Sequence, residues 1–103
     1  MDVLHLNSEN FEKEVLQAEG TVFVDFYADW CGPCKMMGPV VESLAQDLQG
    51  QVKVCKINID EEGEIAEKYE VMTIPTFIVF KNGEPAARSI GVQPKEELEN
   101  LLK

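Results

Sequence analysis

Two short runs of almost wholly apolar residues set the strongest limit on the fold. Residues 21–27 and 76–80 carry apolar side chains at nearly every position, and a single aspartate, Asp25, interrupts the first run. A strand that is apolar on both faces is buried on both faces, as in sheets covered by helices on either side. The two runs therefore predict an α/β fold with a central sheet between two layers of helices.

The other elements follow from periodicity and turn residues. Strands are predicted at residues 3–6, 21–27, 52–59, 76–80 and 86–90. Helices are predicted from residue 8 to near Gly20, from the Cys31–Cys34 segment to Gly50 with Pro39 as a kink, around residues 65–69 and from Pro94 onward. Asn82-Gly83 predicts a tight hairpin, so the last strand should run antiparallel to the one before it, and Pro85 indicates that it lies at an edge of the sheet. The resulting order is β-α-β-α-β-α-β-β-α, in a mixed sheet with right-handed crossovers.

Composition excludes several classes of protein. The 103 residues, 45% of them hydrophobic, suit a single domain spanning residues 1–103. A net charge of −10 repels phosphate backbones, so we expect no binding to nucleic acid. No apolar run approaches the about 20 residues of a membrane span, and the start of the chain lacks the features of a signal peptide. We therefore expect a cytoplasmic protein that does not bind membranes.

The motif that carries chemistry is Trp30-Cys31-Gly32-Pro33-Cys34, between a buried strand and the start of a helix. The two-residue spacing lets the sulfurs join in a small ring. A helix N-terminus presents unpaired N–H groups and the positive end of the helix dipole, which favour a thiolate. We expect Cys31, at the mouth of the site, to attack disulfides, and Cys34, buried one turn further on, to resolve the mixed disulfide.

Two other interpretations of the cysteine pair are weaker. A zinc site would need more ligands, and only Cys55 and His5 are available, neither in a second paired motif. A purely structural disulfide would close a very small loop and stabilise little. We therefore expect no metal, and no cofactor other than a redox-active Cys31–Cys34 disulfide. Cys55 is interpreted as a core residue and His5 as an ordinary strand residue.

At this point the sequence resembles the thioredoxin family over essentially the whole chain. The matching residues are Phe26-Tyr27-Ala28-Asp29-Trp30-Cys31-Gly32-Pro33-Cys34-Lys35, Asp25, Pro39, Lys56, Asn58-Ile59-Asp60, Ile74-Pro75-Thr76, Lys81-Asn82-Gly83 and Gly91. The resemblance implies a general protein-disulfide reductase in cell redox homeostasis, an electron carrier and not an independent NADPH enzyme. It also implies a thioredoxin reductase that recharges the pair, and disulfide-containing substrates such as reductases and peroxidases. We expect a monomer.

The resemblance further implies a substrate-binding surface around the cysteines. Pro75 is expected to be cis, and Ile74 before it would offer backbone hydrogen bonds to an extended substrate segment. The residues of this expected surface are Trp30, Gly32, Pro33, Ile59, Ile74, Pro75, Gly91 and Val92.

Asp25 is a candidate for proton transfer. A carboxylate in an apolar strand is costly, so its pKa should rise. With the resemblance, we interpret Asp25 as the base that deprotonates Cys34, with Lys56 as its partner. The alternative is a buried aspartate that pairs with Lys56 only to satisfy its charge.

Other functions remain open from the sequence. An oxidase or isomerase of the same fold is disfavoured, because Gly-Pro lacks a histidine that would further stabilise the thiolate. A non-catalytic docking module and a dedicated electron donor to one enzyme also fit. Departures from the family pattern, namely Tyr27, Gly38, Met72-Thr73 and Pro85, affect partner preference. A nicotinamide–flavin reductase and a ferredoxin-linked reductase both fit as the recharging enzyme.

Overall fold

The computed structural model describes residues 3–103, which form a five-stranded sheet flanked by helices. The strands are β1 (Leu4–Leu6), β2 (Thr21–Tyr27), β3 (Val52–Asn58), β4 (Thr76–Lys81) and β5 (Glu84–Ile90). The helices are α1 (Glu12–Leu16), α2 (Gly32–Asp47), α3 (Gly63–Lys68) and α4 (Lys95–Leu101). The predicted α/β class and the element order are confirmed.

The sheet is mixed and has the order β1-β3-β2-β4-β5. β1 and β2 both pair with β3 in parallel, whereas β4 runs antiparallel to β2 and β5 antiparallel to β4. Because consecutive residues of β2 and β4 point to opposite faces, the sheet has a separate core on each side. Val24 and Ile78 belong to the core with Val15, while Phe23 and Phe77 belong to the core with Leu44 and Leu98.

The ends of several elements, among them α1, β5 and α4, differ from the sequence prediction. α1 is a single π-helical turn that ends at Leu16, short of Gly20. β5 begins at Glu84 and contains Pro85, which the sheet accepts because β5 is an edge strand and its register with β4 shifts at Val79/Phe80. α4 begins at Lys95, with Pro94 at the cap. Within residues 3–103, no helix has the length and apolar character needed to cross a membrane.

The hairpin turn between β4 and β5 packs against α1, and this contact makes Gly83 sensitive to substitution. Asn82 and Gly83 both have positive φ, at 52° and 84°, as the Asn-Gly turn predicts. A Cβ on Gly83 would lie 2.3 Å from the backbone oxygen of Leu16.

We therefore expect Gly83→Ala to lower the free energy of unfolding by about 2 kcal/mol or more, from the clash and the strained φ together. Gly38→Ala is the matched control. Gly38 lies inside α2 with nothing within 4 Å of its added Cβ, so the same substitution there should stabilise by up to about 1 kcal/mol. Urea unfolding measures both, and equal effects of the two variants would contradict the close approach at Gly83.

Candidate active site

Cys31 and Cys34 form a disulfide at the first turn of α2. Their Cα atoms are 5.2 Å apart, and Cys31 is the N-cap residue of the helix. The Cys31 sulfur accepts a hydrogen bond of 3.1 Å from the backbone N–H of Cys34. Reduction would leave that N–H and the helix dipole directed at the Cys31 sulfur, an arrangement that favours its thiolate.

The exposure of the two cysteines differs from the prediction. Cys31 was expected at the mouth of the site, but in the disulfide it is as buried as Cys34, with 4% and 6% of their surfaces exposed. The two sulfurs differ in their neighbours. The Cys31 sulfur lies 3.9 Å from the carbonyl oxygen of Ile74, whereas Cys34 lines a small cavity with Asp25.

Most residues of the expected binding surface surround the disulfide. The Ile74-Pro75 peptide bond is cis, as expected. Ile59 and Ile74 pack against the two cysteines, and the backbone N–H of Gly91 bonds the carbonyl of Pro75 at 2.9 Å. Pro75 itself is buried, so the outer surface here is formed by residues next to it, among them Ile74 and Gly91.

The outermost part of this surface is exposed. Trp30 has 69% of its surface exposed, and its indole N–H donates to the Asp60 carboxylate at 2.8 Å. Gly32 and Pro33 are exposed between the cysteines, and Val92, which follows Gly91, is half exposed. Trp30 is therefore not a core residue, and its role as a wall of the site stays a prediction.

Asp25 is buried below Cys34 with an unsatisfied carboxyl oxygen. Burial raises the pKa of Asp25 to about 7, and the positive charge of Lys56 opposes this rise. Among residues 3–103, the Oδ1 atom of Asp25 has no hydrogen-bond partner. A buried carboxyl group with a pKa close to neutrality can both take up and release a proton at physiological pH.

Lys56 is opposite Asp25 in the register of β2 and β3, but the two side chains form no ion pair within the described residues. The Lys56 ammonium instead lies 5.3 Å from the centre of the Tyr27 ring. Both interpretations of Asp25 and Lys56 therefore stay predictions. Lys56 acts on Asp25 through its charge, which opposes the rise in pKa that burial causes.

A cavity of about 50 Å³ connects these groups. Its lining residues are Val3, Asp25, Tyr27, Cys34, Gly38, Val41, Glu42 and Lys56. This volume can hold a water molecule, which needs polar partners of the kind that Asp25 and Lys56 provide. The roles of Tyr27, Gly38 and Glu42 in this lining were missed from the sequence. The helical spacing of Cys34, Gly38 and Glu42, each four residues from the last, is the signal that could have placed them together.

The remaining candidate residues lie outside the site. Cys55 is fully buried in β3, and burial raises its thiol pKa to about 12, so it is a core residue and a poor nucleophile. His5 is exposed on β1. Within residues 3–103, no three His, Cys, Asp or Glu side chains are clustered as a metal site would require.

Comparison with known proteins assigns the family. A family model described as Thioredoxin matches residues 2–103. The chain belongs to the thioredoxin family. It is 45% identical to a thioredoxin of Pseudomonas aeruginosa over 100 residues, which cover 97% of this chain and 93% of that protein. It is 46% identical over 102 residues to thioredoxins of Staphylococcus haemolyticus and Staphylococcus aureus, covering 99% of this chain and 96% of each relative.

Family membership and geometry agree on the class of chemistry. In this thioredoxin-family chain Cys31 and Cys34 are a redox-active pair, and the activity is thiol–disulfide oxidoreduction. Membership in the family also implies, in general terms, disulfide substrates and a reductase as partners.

Proposed function

We propose that the protein is a general protein-disulfide reductase of the cytoplasm, recharged by a thioredoxin reductase. The observation that carries this proposal is the hydrogen bond from the Cys34 N–H to the Cys31 sulfur at the start of α2. It prepares one sulfur as the nucleophile. Gly32 and Pro33 add no positive charge between the cysteines, which favours a reducing pair over an oxidising one.

The reaction proceeds in two exchanges. The Cys31 thiolate attacks one sulfur of a substrate disulfide, so a mixed disulfide forms and the other substrate sulfur leaves as a thiolate. Asp25 takes the proton of Cys34, through a water in the cavity that both residues line. The Cys34 thiolate then attacks Cys31, which forms the Cys31–Cys34 disulfide and releases the second substrate thiolate. Protons from Asp25 and solvent complete the two substrate thiols.

The electron balance requires one external partner. The substrate disulfide gains two electrons, and the Cys31–Cys34 pair loses two when it closes. A thioredoxin reductase returns two electrons and two protons to the pair. The exchange steps use only the two sulfurs and the proton-transfer groups, so the proposal includes no metal or organic cofactor in this chain. Its Lys56 modulates Asp25 as a nearby positive charge and not as a bonded partner.

Substrate segments are proposed to bind across the surface beside Cys31. Ile74 would supply backbone hydrogen bonds to an extended segment, in the manner of an added strand. The apolar surface of Trp30, Ile59 and Val92 would contact its side chains. The proposed clients are proteins with an accessible disulfide, such as reductases and peroxidases, bound by a monomer.

The reduction potential of the Cys31–Cys34 pair tests the reductase direction. The protein is equilibrated with glutathione buffers spanning about −220 to −260 mV, and thiol alkylation followed by mass measurement counts the free thiols. We expect the pair to be mostly disulfide across this range, because a reducing pair gives its electrons to the glutathione couple. Cys31→Ser, which cannot form the pair, sets the baseline for alkylation of Cys34 and Cys55.

Two results would contradict the proposal. A pair that is mostly dithiol in these buffers would be oxidising, and the oxidase or isomerase interpretation would replace the reductase. A pair that never closes at any glutathione ratio would remove the redox function altogether. For this two-electron couple about 30 mV corresponds to about 1.4 kcal/mol, so modest differences are measurable.

A further inference from the structure

Arg88, the only arginine of the chain, is hydrogen-bonded to the backbone at the end of α3. It lies on β5 and donates to two successive carbonyls, to Tyr69 at 2.5 Å and to Glu70 at 3.4 Å. The last carbonyls of a helix lack partners within the helix and carry the negative end of its dipole. A guanidinium supplies several donors in one plane, so it can bond neighbouring carbonyls at once.

The two carbonyls lie at the start of the segment that leads to the active site. Glu70 adopts the left-handed conformation, with φ at 56°, and reverses the chain at this point. The backbone N–H of Val71 bonds the carbonyl of Ala66 at 2.9 Å, which fixes the turn from the helix side. Four residues after Glu70 comes Ile74, whose carbonyl oxygen lies 3.9 Å from the Cys31 sulfur.

The other end of the segment is also held by the strand on which Arg88 lies. The N–H of Gly91, three residues beyond Arg88, bonds the carbonyl of Pro75. Between the two attachments, Met72 and Thr73 are exposed, Met72 to 92% of its surface. At the centre, the carbonyl of Thr73 accepts a hydrogen bond from the Thr76 hydroxyl. The segment of residues 69–75 is therefore a span with an exposed centre and two ends held by β5 and the residue that follows it.

We propose that Arg88 is a positioning residue for substrate binding. By fixing the carbonyls of Tyr69 and Glu70, it orients the span so that Ile74 presents its backbone beside Cys31 to an extended protein segment. The proposal rests on the proposed reductase function. It predicts a selective role, because a protein substrate uses the backbone of Ile74 whereas a small disulfide needs only the Cys31 sulfur.

The test compares two substrates in three variants. Reduction of insulin, a folded protein with disulfides, and of the small disulfide 5,5′-dithiobis(2-nitrobenzoic acid) is followed with pre-reduced protein in a single turnover at several substrate concentrations. We expect Arg88→Ala to lower the second-order rate constant for insulin by about three- to tenfold through weaker binding, seen as a higher half-saturation concentration. The rate with the small disulfide should stay within about twofold. Arg88→Lys, which keeps one charged donor, should recover part of the loss.

Lys68→Ala is the matched control for charge. Lys68 is also a cation beside Tyr69, with its ammonium 5.6 Å from the ring centre, but it makes no hydrogen bond to the span. This variant should reduce insulin as the unmodified protein does. Equal losses with both substrates, an equal loss in Lys68→Ala, or no loss with insulin would each overturn the positioning role.

Hydrogen exchange separates failure of this inference from failure of the proposed function. In Arg88→Ala the backbone amides of Glu70 and Val71, which donate to Glu67 and Ala66, should exchange faster than in the unmodified protein, whether or not the protein reduces insulin. Unchanged exchange of these two amides would overturn the inference even in an active reductase. An unmodified protein that reduces neither substrate would contradict the proposed function, while faster exchange in the variant would still establish the attachment by Arg88.

Discussion

Replacing Cys34 by serine is expected to leave substrate proteins covalently attached to Cys31. The Cys31 sulfur keeps its position at the N-cap of α2 and the N–H directed at it, so it still attacks disulfides. Without the second sulfur the mixed disulfide has no internal route to release. Turnover of insulin should fall to the background rate, and mixed disulfides should accumulate on non-reducing gels.

The reciprocal variant is the control for this result. Cys31→Ser removes the sulfur at the helix N-cap and should form no mixed disulfides, because the Cys34 sulfur lacks the N–H that is directed at Cys31 and faces the cavity of Asp25. Bands that form with both variants to the same extent would mean that the roles of the two cysteines are wrongly assigned. Cys55 cannot produce such bands while it is buried with a raised pKa, and Cys55→Ala in both backgrounds verifies this.

The active-site motif, the strands and the turns could be identified from short stretches of the sequence. The apolar runs of β2 and β4 require helices on both faces, and the Asn82-Gly83 turn requires an antiparallel β5. These rules work because they depend on neighbouring residues. The exact ends of α1 and β5 were missed because tertiary contacts decide them, as the bulge that accommodates Pro85 illustrates.

The electrostatics of the site could be predicted only in part. The raised pKa of Asp25 follows from an aspartate in an apolar strand, and the structure agrees. Where the Lys56 ammonium lies depends on how its flexible side chain packs on Tyr27, and no pattern in the sequence encodes that. The attachment of Arg88 to the end of α3 joins residues 18 and 19 positions apart on different elements. No periodicity connects them.

Asp25 connects stability to catalysis, because ionising it costs free energy in the folded chain. Its pKa is about 7 when folded and 3.8 ordinarily, so between these values the folded chain holds a proton that the unfolded chain has lost. The stabilisation from this proton is complete below the ordinary pKa and is lost as pH rises through about 7. A shift of about three pKa units corresponds to about 4 kcal/mol as an upper limit.

Asp25→Asn is therefore expected to stabilise the oxidised protein most at alkaline pH. At pH 8 the gain should be about 2–4 kcal/mol, reduced from the upper limit because the buried amide also lacks partners. Near pH 4, where the aspartate is neutral in the folded chain, the gain should nearly vanish. Urea unfolding at both pH values measures the difference. A gain that does not change with pH would mean that the carboxyl is not titrating in the folded chain.

The same variant should slow the second exchange, because Cys34 loses the group that takes its proton. We expect the release of substrate from the mixed disulfide to slow by about tenfold or more above pH 7. Asp29→Asn is the matched control, since Asp29 is an exposed carboxylate close to the same cysteines. Its rate and stability should stay close to those of the unmodified protein.

If Asp25→Asn resolves mixed disulfides at the unmodified rate from pH 6 to 9, about the range in which these groups titrate, Asp25 is not the base. A stabilised but fully active variant would then show that the buried carboxylate has a role other than proton transfer.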